Sequence, residues 1–535
     1  FSSLYVFHLR GNQRTSGELS RKEGGKIFGS GSRAPIAITL FVKNLNADKH
    51  GQIHFHDIGD YLSQQEKLER IASFGSVVGI TENDGWKSIA PDEHGDWLRQ
   101  RVSGFSEFIS VGDKRSEFSS IFLSYSRGLQ TGRDAWCYNF GNKVVNKNMF
   151  NMIDFYNFEL ARFDEVYGNL SIKDKDRYVN GFINSDPTKI SWTRGLKQEL
   201  LKGRKISPVK DCLTLSFYRP FTKQWLYFDR KMNEMILQMP KFFPESGLEN
   251  RVIMVKGNWA GDGQLALITN SASSDQPDGG AQCFPLYIYE KLSNDDQIDF
   301  VGKPQTGDMF AEQSSQKANV SDSEYQRKDG ISDDGLAHFT AAYPNEKISK
   351  EDVFYYVYGL LHSSDYRERY ADNLSKELPR IPCVKTAKDF WHFSQAGRDL
   401  AELHLNYETV ACYPVTLDTG NKKLAELDDK DFYVTKMKFA KKGEKHTVIY
   451  NHQITIRDIP EAAFDYVVNG KAALDWVMER QAVTTHKDSG IVNDANDWAI
   501  ETMGNAKYPL ELFMRVITVS LETMKIVNSL PKLDI

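Results

Sequence analysis

Two runs of β-branched and aromatic residues stand near the start of the chain, 4–9 (LYVFHL) and 36–42 (IAITLFV). Such runs favour strands, because branched and flat side chains pack well on a pleated surface. The segment between them, 10–35, is rich in Gly, Ser and Arg and has few apolar side chains, which predicts a long polar loop. A loop of that length is usually functional or mobile. Because the first run starts at once, we expect the chain to begin inside a domain whose earlier part lies upstream of Phe1.

Composition excludes several classes of protein. The 535 residues are 40% hydrophobic and 26% charged, which fits a globular chain with more than one core. No stretch approaches the ~20 apolar residues of a membrane span and no signal peptide is present, so we expect a cytoplasmic protein without a membrane partner. The net charge of −5 argues against a uniformly basic nucleic-acid binder but leaves room for local basic patches. The five cysteines form no C-x-x-C pair, which favours reduced, buried thiols over a zinc finger.

Local patterns predict four parts. In residues 1–75, the strands above are followed by a short strand at 53–58 and an amphipathic helix at 61–75. The second part is 76–302, whose sequence is irregular and rich in aromatic and turn residues up to about 290. Within it we expect strands around a turn in 213–228 and further strands at 251–256 and 264–269. Residues 303–345 are rich in Asp, Ser, Gln and Gly, which predicts a flexible connector or surface excursion. In 346–535 we expect helices at 351–362, 366–377, 390–405, 470–480 and 509–529 and a β-hairpin within 432–457.

A metal site is the first candidate for chemistry. His54 and His56 lie two residues apart in a predicted strand, so both imidazoles share a face, and Asp57 follows them. No further ligand is marked by its spacing, and a structural or DNA-backbone role is the alternative; we expect no metal. A P-loop, a complete dinucleotide fingerprint and a nucleophile elbow are absent from the sequence.

Basic residues interleave with Gly, hydroxyl and aromatic residues in four segments, 10–14, 126–134, 191–197 and 218–221. The guanidinium fork suits phosphates and base edges, and glycine lets the backbone approach DNA closely. The alternative is that these side chains cap or bridge loops. The candidate DNA-binding residues are Arg10, Asn12, Arg14, Arg127, Arg133, Arg194, Lys197 and Arg219. The lysine-rich segment 436–445 adds Lys436, Lys438, Lys441 and Lys442 as phosphate contacts, or as a solvated hairpin face.

Longer motifs carry a resemblance to a known family. FHLRGNQR followed by GKIFGSGSRAPIAITLFVKN resembles the later part of gamma-class adenine-N6 DNA methyltransferase cores. Downstream, SRGLQTGRDAW, SWTRGLK, SFYRPFTKQWLYFDR, VVNGKAALDWVMER and KDSGIVNDANDW resemble the C-terminal region of type ISP single-polypeptide restriction–modification enzymes. The resemblance covers most of the chain, outside the interval near 303–335.

The resemblance implies both fold and function. It implies an α/β remnant of a Rossmann-like methyltransferase sheet in 1–75, followed by a large α+β target-recognition region that binds double-stranded DNA. Phe41 matches the family's aromatic that stacks on the flipped adenine; the alternative is a core aromatic. The family's F-x-G-x-G loop and N-P-P-Y tetrad do not occur in this sequence, so we expect no catalytic residue in this chain and an inactive chain by itself. S-adenosylmethionine would be bound mostly by upstream residues, and ATP and Mg²⁺ by upstream domains.

Three functions therefore stay open at this point. The first is DNA sequence recognition within an adenine-N6 methyltransferase with restriction activity. The second is a non-catalytic DNA-binding module or an inactive fragment of the same scaffold. The third is a metal-dependent hydrolase built on His54, His56 and Asp57.

Overall fold

The computed structural model describes residues 1–535 apart from 14–16, 29–32, 84, 116–118, 210–211, 246, 257–265, 276–279 and 293–323, and apart from the side chains of 17–19. Its first part is a four-stranded sheet in the order Ile36–Val42, Ser3–Arg10, Gln52–Asp57, Lys87–Ile89. The strand Ser3–Arg10 pairs antiparallel with Ile36–Val42 and parallel with Gln52–Asp57, so the sheet is mixed. The three strands predicted in this part are confirmed.

The helix Gln64–Phe74 packs on this N-terminal sheet, and it begins where its sequence provides a capping box. Ser63 accepts a hydrogen bond from the Glu66 backbone, and the Glu66 carboxylate accepts one from the Ser63 backbone at 2.7 Å. The helices Val77–Glu82 and Gly17–Glu23 complete this part. The helix Gly17–Glu23 corrects the expectation that all of 10–35 is loop. A small core formed by Phe7, Leu9, Ile27, Ile58 and Ile80 holds the part together.

Two further sheets follow in the middle of the chain. One has the strand order Ala266–Thr269, Val252–Val255, Gln282–Pro285, Ser126–Arg127, and the other Ala272–Ser273, Leu213–Arg219, Thr222–Tyr227, Tyr138–Asn139. The predicted strands around a turn are confirmed as an antiparallel hairpin between Leu213–Arg219 and Thr222–Tyr227. Shorter helices and two-residue strands surround these sheets: Asp134–Cys137, Ile172–Phe182, Arg194–Leu201, Met239–Phe242, Phe105–Glu107 and the pair Ile109–Ser110 with Arg380–Ile381.

A 26-residue helix, Asn142–Tyr167, runs through the interval that we expected to be irregular. Its buried residues include Val145, Met149, Ile153 and Tyr156, which recur every three or four positions. The periodic signal was therefore present in the sequence. Asparagines between these positions obscured it, because Asn has a low intrinsic helix propensity. Burial of the apolar face overrides that propensity.

The predicted flexible connector is wrong over residues 325–342. The strand Tyr325–Asp329 pairs with Tyr287–Lys291, and the helix Asp333–Ala342 follows. Ser332 caps this helix by accepting a hydrogen bond from the Gly335 backbone at 2.8 Å, and Phe339 is fully buried. A few well-placed apolar residues thus order a segment whose average composition is polar. Residues 303–323 of the expected connector lie outside the described residues.

The C-terminal part is helical, with small sheets. Its helices are Lys350–Leu360, Ser364–Arg369, Ala371–Leu374, Ala387–Leu405, Ala473–Arg480, Ala495–Asp497 and Tyr508–Ser529, with shorter turns at Leu424–Glu426, Asp429–Phe432, Glu461–Phe464 and Trp498–Thr502. A four-stranded sheet has the strand order Thr416–Asp418, Thr455–Arg457, Val448–Ile449, Lys438–Phe439. The pairing of its last two strands confirms the hairpin expected within 432–457. Two short hairpins pair Val467–Val468 with Lys471–Ala472 and Val483–Thr485 with Val492–Asp494.

Two large cores draw on residues from both sides of 303–345. One includes Met149 and Phe217 together with Phe464 and Phe513, and the other includes Phe284 together with Phe354 and Phe393. The packing therefore does not divide the chain into the two lobes that we expected, because strands before the interval pack against helices after it. Within the described ranges, no helix is long and apolar enough to cross a membrane.

Candidate nucleic-acid interface

A cleft of about 980 Å³ opens between segments that are far apart in sequence. They are 132–140, 185–197, 218–224 and 479–493, each contributing residues to the lining. Three of them belong to the motifs GRDAW, SWTRGLK and SFYRP that sequence analysis marked. The fourth joins the end of VVNGKAALDWVMER to the start of KDSGIVND. The fold thus brings separate motifs to one surface.

Aromatic side chains form much of the lining. The rings of Tyr138 and Tyr218 lie 4.6 Å apart between centroids, and the Tyr218 hydroxyl donates to Asp134 at 3.3 Å. Trp136 is nearly buried, and Trp192 is fixed by a hydrogen bond from its Nε1 to the Asn184 carbonyl at 2.8 Å. Tyr138 is buried like Trp136, so the partly exposed rings of Trp192 and Tyr218 are the ones that offer surfaces on which bases or sugars can pack.

Arg133 lies in the lining and is only 4% exposed. Its Nη2 donates to the Thr193 hydroxyl at 2.6 Å, while its buried Nε and Nη1 have no acceptor among the described residues. Burial lowers the pKa of this guanidinium, against the opposing influence of Cys137 and Glu234. Its burial makes it a recessed donor in the cleft lining rather than a side chain that reaches out to a phosphate.

Arg480 lines the same cleft, and Arg219, which is outside the lining, lies beside Tyr218. The Arg219 guanidinium stacks on the Tyr218 ring at 4.0 Å, and its Nη1 donates to the Tyr218 carbonyl at 2.8 Å. Arg480 donates to Glu479 at 2.8 Å. Burial and the nearby charge of Arg219 both lower the pKa of Arg480, while Glu479 raises it. Sequence analysis missed Arg480, because a single arginine at a helix end carries no distinguishing spacing.

A β-hairpin, Val483–Asp494, forms one side of the cleft. Hydrogen bonds join its second strand to residues 139–140. The Asn139 side chain donates to the Val492 carbonyl, and the Phe140 backbone donates to the Asn493 side chain, both at 2.9 Å. Residues 484–488 are exposed. Ser489 and Ile491 line both this cleft and an adjoining one of about 590 Å³, so the hairpin stands between two depressions.

The lysine-rich hairpin, residues 438–449, begins next to this element. The Val483 backbone donates to the Thr435 carbonyl at 2.9 Å, which joins the roots of the two hairpins. Lys436, Lys438, Lys441 and Lys442 are all exposed, and Lys441 is paired with Glu444. Lys438, Lys441 and Lys442 thus lie on a solvent-facing hairpin, and Lys436 lies just before it; their contacts with phosphate stay predictions.

The remaining candidates in this region are more dispersed. Lys197 lines the cleft and donates to Asn180 at 2.7 Å, whereas Arg194 is exposed at the start of its helix and outside the lining. Arg127 donates to the buried Asp275 at 3.1 Å and keeps 41% of its side chain exposed. Their DNA contacts stay predictions.

The N-terminal candidates are engaged within their own sheet. Arg10 donates to Asp57 at 2.7 Å and also pairs with Asp60. Burial would raise the pKa of Asp57, but hydrogen bonds from Arg10, the Gly59 backbone and His8 lower it overall. The Asn12 backbone donates to Glu23 at 2.9 Å. Arg14 lies outside the described residues.

Phe41 is 61% exposed, so it is not part of a described core. It lies on the edge strand Ile36–Val42, and its ring centroid is 5.0 Å from that of Phe1. Ile38, Leu40 and Val42 on the same strand are exposed as well. Phe41 thus lies outside the described cores, and both its stacking on a base and the core alternative stay predictions.

The two histidines of the candidate metal site have other contacts. His54 stacks on Tyr5 with ring centroids 4.6 Å apart, and the His56 Nδ1 lies 2.6 Å from the Gly85 carbonyl. Across the described part of the chain, no group of three or more His, Cys, Asp or Glu side chains is placed to hold an ion.

Comparison with known proteins identifies the family of the chain. The Type ISP C-terminal specificity domain matches residues 120–512, which includes every segment that lines the cleft. The chain belongs to this family. No curated protein matches the sequence.

Solved structures of type ISP and related DNA complexes resemble the chain. A nuclease-deletion mutant of the Type ISP restriction–modification enzyme LlaGI, in complex with a DNA substrate mimic, is 37% identical with a TM-score of 0.82, over 100% of this chain and 44% of that one. The ATP-dependent Type ISP enzyme LlaBIII bound to DNA is 34% identical with a TM-score of 0.82, over 100% of this chain and 31% of that one. A DrdV–DNA complex is 28% identical with a TM-score of 0.78, over 100% of this chain and 48% of that one. The family member described here thus spans less than half the length of each.

Proposed function

We propose that this chain supplies the DNA sequence specificity of a restriction–modification enzyme that methylates adenine at N6. The observation that carries the proposal is the cleft of about 980 Å³, in which buried cations, fixed aromatic rings and a projecting hairpin converge. Such a surface combines groups that pack on bases or sugars with donors for base edges. The exposed lysine-rich hairpin beside it provides a phosphate contact.

The N-terminal sheet is the proposed end of a Rossmann-like methyltransferase core. In this role Phe41 stacks on the adenine that is turned out of the duplex, because an exocyclic amine inside a duplex is out of reach of a catalyst. The exposed position of Phe41 on an edge strand supports this role.

The residues of this chain do not fit S-adenosylmethionine as its main binding site. The F-x-G-x-G loop and the N-P-P-Y tetrad are absent from the sequence, and the charged groups at the strand ends, Arg10 and Asp57, bind each other. We therefore assign the cofactor, and the ATP and Mg²⁺ of restriction, to other parts of the complete polypeptide, and we expect this chain alone to be inactive.

A binding selection tests the proposal. The complete polypeptide is incubated with a random duplex pool at moderate salt, with and without S-adenosylmethionine, and the retained DNA is sequenced. We expect an asymmetric site that contains adenine, and mass spectrometry of that site should detect N6-methyladenine. Retention without enrichment, falling steeply with salt, would contradict the proposal. Enrichment without methylation would favour a non-catalytic DNA-binding module.

Base stacking by Phe41 has its own measurement. With 2-aminopurine at the target adenine, the fluorescence change on binding should differ between Phe41→Ala and the unchanged protein, since stacking quenches the flipped base and contributes ~1–3 kcal/mol to holding it. Phe158→Ala is the matched control, because Phe158 is 58% exposed and lies on a helix away from the sheet. An unchanged signal in Phe41→Ala would refute the stacking role.

A further inference from the structure

The end of the helix Ala473–Arg480 places one carboxylate among three cations. Glu479 accepts hydrogen bonds from Lys471 at 2.5 Å and from Arg480 at 2.8 Å. The charge of Arg219 also acts on Glu479 and on Arg480. Glu479 therefore holds the Arg480 guanidinium at the cleft, which both residues line.

The Arg480 guanidinium is held in a defined position. It lies 5.8 Å from the Trp476 ring centroid, and Lys471 approaches the same ring at 4.6 Å. Trp476 is itself 5% exposed and donates to the Val468 carbonyl at 2.9 Å. Arg480 also ends its helix, where the helix dipole favours a cation. A planar donor that is fixed on several sides loses little entropy when it binds.

The hydrogen bonding of this guanidinium is incomplete. Its Nε is buried and has no acceptor within the described residues. Two neighbours in the same cleft share this property: the buried Nε and Nη1 of Arg133, and the Oε1 of Gln224, whose side chain is 2% exposed. Buried polar groups in folded proteins are nearly always hydrogen-bonded, so these unmet groups at the cleft can accept bonds from, or donate them to, a polar ligand.

We propose that Arg480 binds the O6 and N7 atoms of one guanine in the DNA major groove, with Glu479 as its positioning residue. This inference rests on the proposed function and names a specificity-determining residue within it. Arginine pairs bidentately with these two acceptors, which no other base presents together. A recessed guanidinium suits a base edge, whereas phosphates meet the exposed lysines of the neighbouring hairpin.

The element that follows Arg480 supports the choice of groove. The hairpin Val483–Asp494 starts three residues later, and its cross-strand pair Thr484 and Asn493 lines the same cleft. A two-stranded ribbon has the width that the major groove admits. With this hairpin in the groove, Arg480 lies at its root, next to the base edges.

The test uses the complete polypeptide and the site found by selection. Each guanine of that site is replaced in turn by 7-deazaguanine, which lacks the N7 acceptor. We expect one position at which the replacement weakens binding roughly 5- to 150-fold. Arg480→Gln should lose the same factor on the natural site and should be insensitive to 7-deazaguanine at that position. Arg480→Lys should also lose specificity, because it keeps the charge but not the fork.

Controls separate this inference from the proposed function. Arg457→Gln is the matched variant, because Arg457 also pairs with one carboxylate, Asp418, but lies outside the cleft lining; it should bind as the unchanged protein does. A site that contains no guanine sensitive to 7-deazaguanine would overturn the Arg480 assignment without using any variant. The assignment would also be overturned if Arg480→Gln weakened binding to all DNA sequences alike. If the unchanged protein enriches no site, the proposed function fails, and the guanine contact fails with it.

Discussion

The cations of the cleft and those of the lysine-rich hairpin differ in how firmly the protein holds them. Arg133 and Arg480 line the cleft and Arg219 lies beside it, and all three are fixed by aromatic rings, hydroxyls or carboxylates and are partly or fully buried. Lys438 and Lys441 are exposed on the lysine-rich hairpin. A fixed, desolvated donor can discriminate between base edges, whereas a mobile exposed charge is attracted to any phosphate. Adjacent surfaces of one chain thus suit specificity and affinity separately.

The largest effect is expected from the buried arginine of the cleft. Arg133→Met should weaken binding to the selected site by about 2–5 kcal/mol, because it removes a desolvated cation from the interface. It should not lower the melting temperature, since the change also removes the two buried nitrogens without acceptors, and Thr193 still caps its helix by accepting from Leu196. Filter binding and thermal unfolding measure the two quantities.

The control for this variant is Arg177→Met, which removes an arginine that is 67% exposed. It should change neither quantity. A large loss of stability in Arg133→Met would assign Arg133 to the fold rather than to the DNA contact. Arg133 would then no longer count among the cations that distinguish the cleft from the lysine-rich hairpin.

A smaller, uniform effect is expected from the lysines. Replacing Lys436, Lys438, Lys441 or Lys442 by Gln should weaken binding roughly 5-fold near 0.15 M salt and reduce the slope of log K against log salt by about 1 each. Selected and scrambled duplexes should be affected alike. Lys525→Gln, on the C-terminal helix, is the control. Loss confined to the selected duplex would mean that the hairpin recognises bases.

The smallest effect is expected from breaking the ion pair between Arg10 and Asp57. Arg10 differs from the cations of both surfaces because carboxylates neutralise its charge. Asp57→Asn should cost about 0.5 kcal/mol of stability, allowing for its partial exposure. The folded-state pKa of Asp57 lies below its ordinary value near ~3.9, so the stabilisation is full above that value and disappears as pH falls through the folded-state pKa.

The measurement is thermal unfolding from pH 6 down to the acid limit of solubility. The difference in melting temperature between the unchanged protein and Asp57→Asn should shrink as the pH falls. Asp418→Asn, which breaks the exposed pair with Arg457, should show a smaller difference throughout. A constant difference for Asp57→Asn at all pH values would exclude the ion pair as its cause.

Sequence reasoning succeeded where structure depends on neighbours along the chain. A run of β-branched and aromatic residues identified 36–42 as a strand, and the pattern within 432–457 identified the lysine-rich hairpin. It failed at the helix Asn142–Tyr167, where asparagines masked a regular apolar face, and at 325–342, where average composition concealed a capping serine and a buried phenylalanine. In each failure a few packing residues outweighed the local tendency of the rest.

The sequence by itself determined the separate motifs and, through them, the family to which the chain belongs. Only the tertiary structure decided that GRDAW, SWTRGLK, SFYRP and the 479–493 segment share one cleft, that Arg10 is neutralised by carboxylates, and that Arg480 belongs among the candidates. The physical reason is that periodicity and turn residues act over a few positions, whereas packing joins segments tens to hundreds of residues apart, from Arg10 and Asp57 to the cleft segments 132–140 and 479–493.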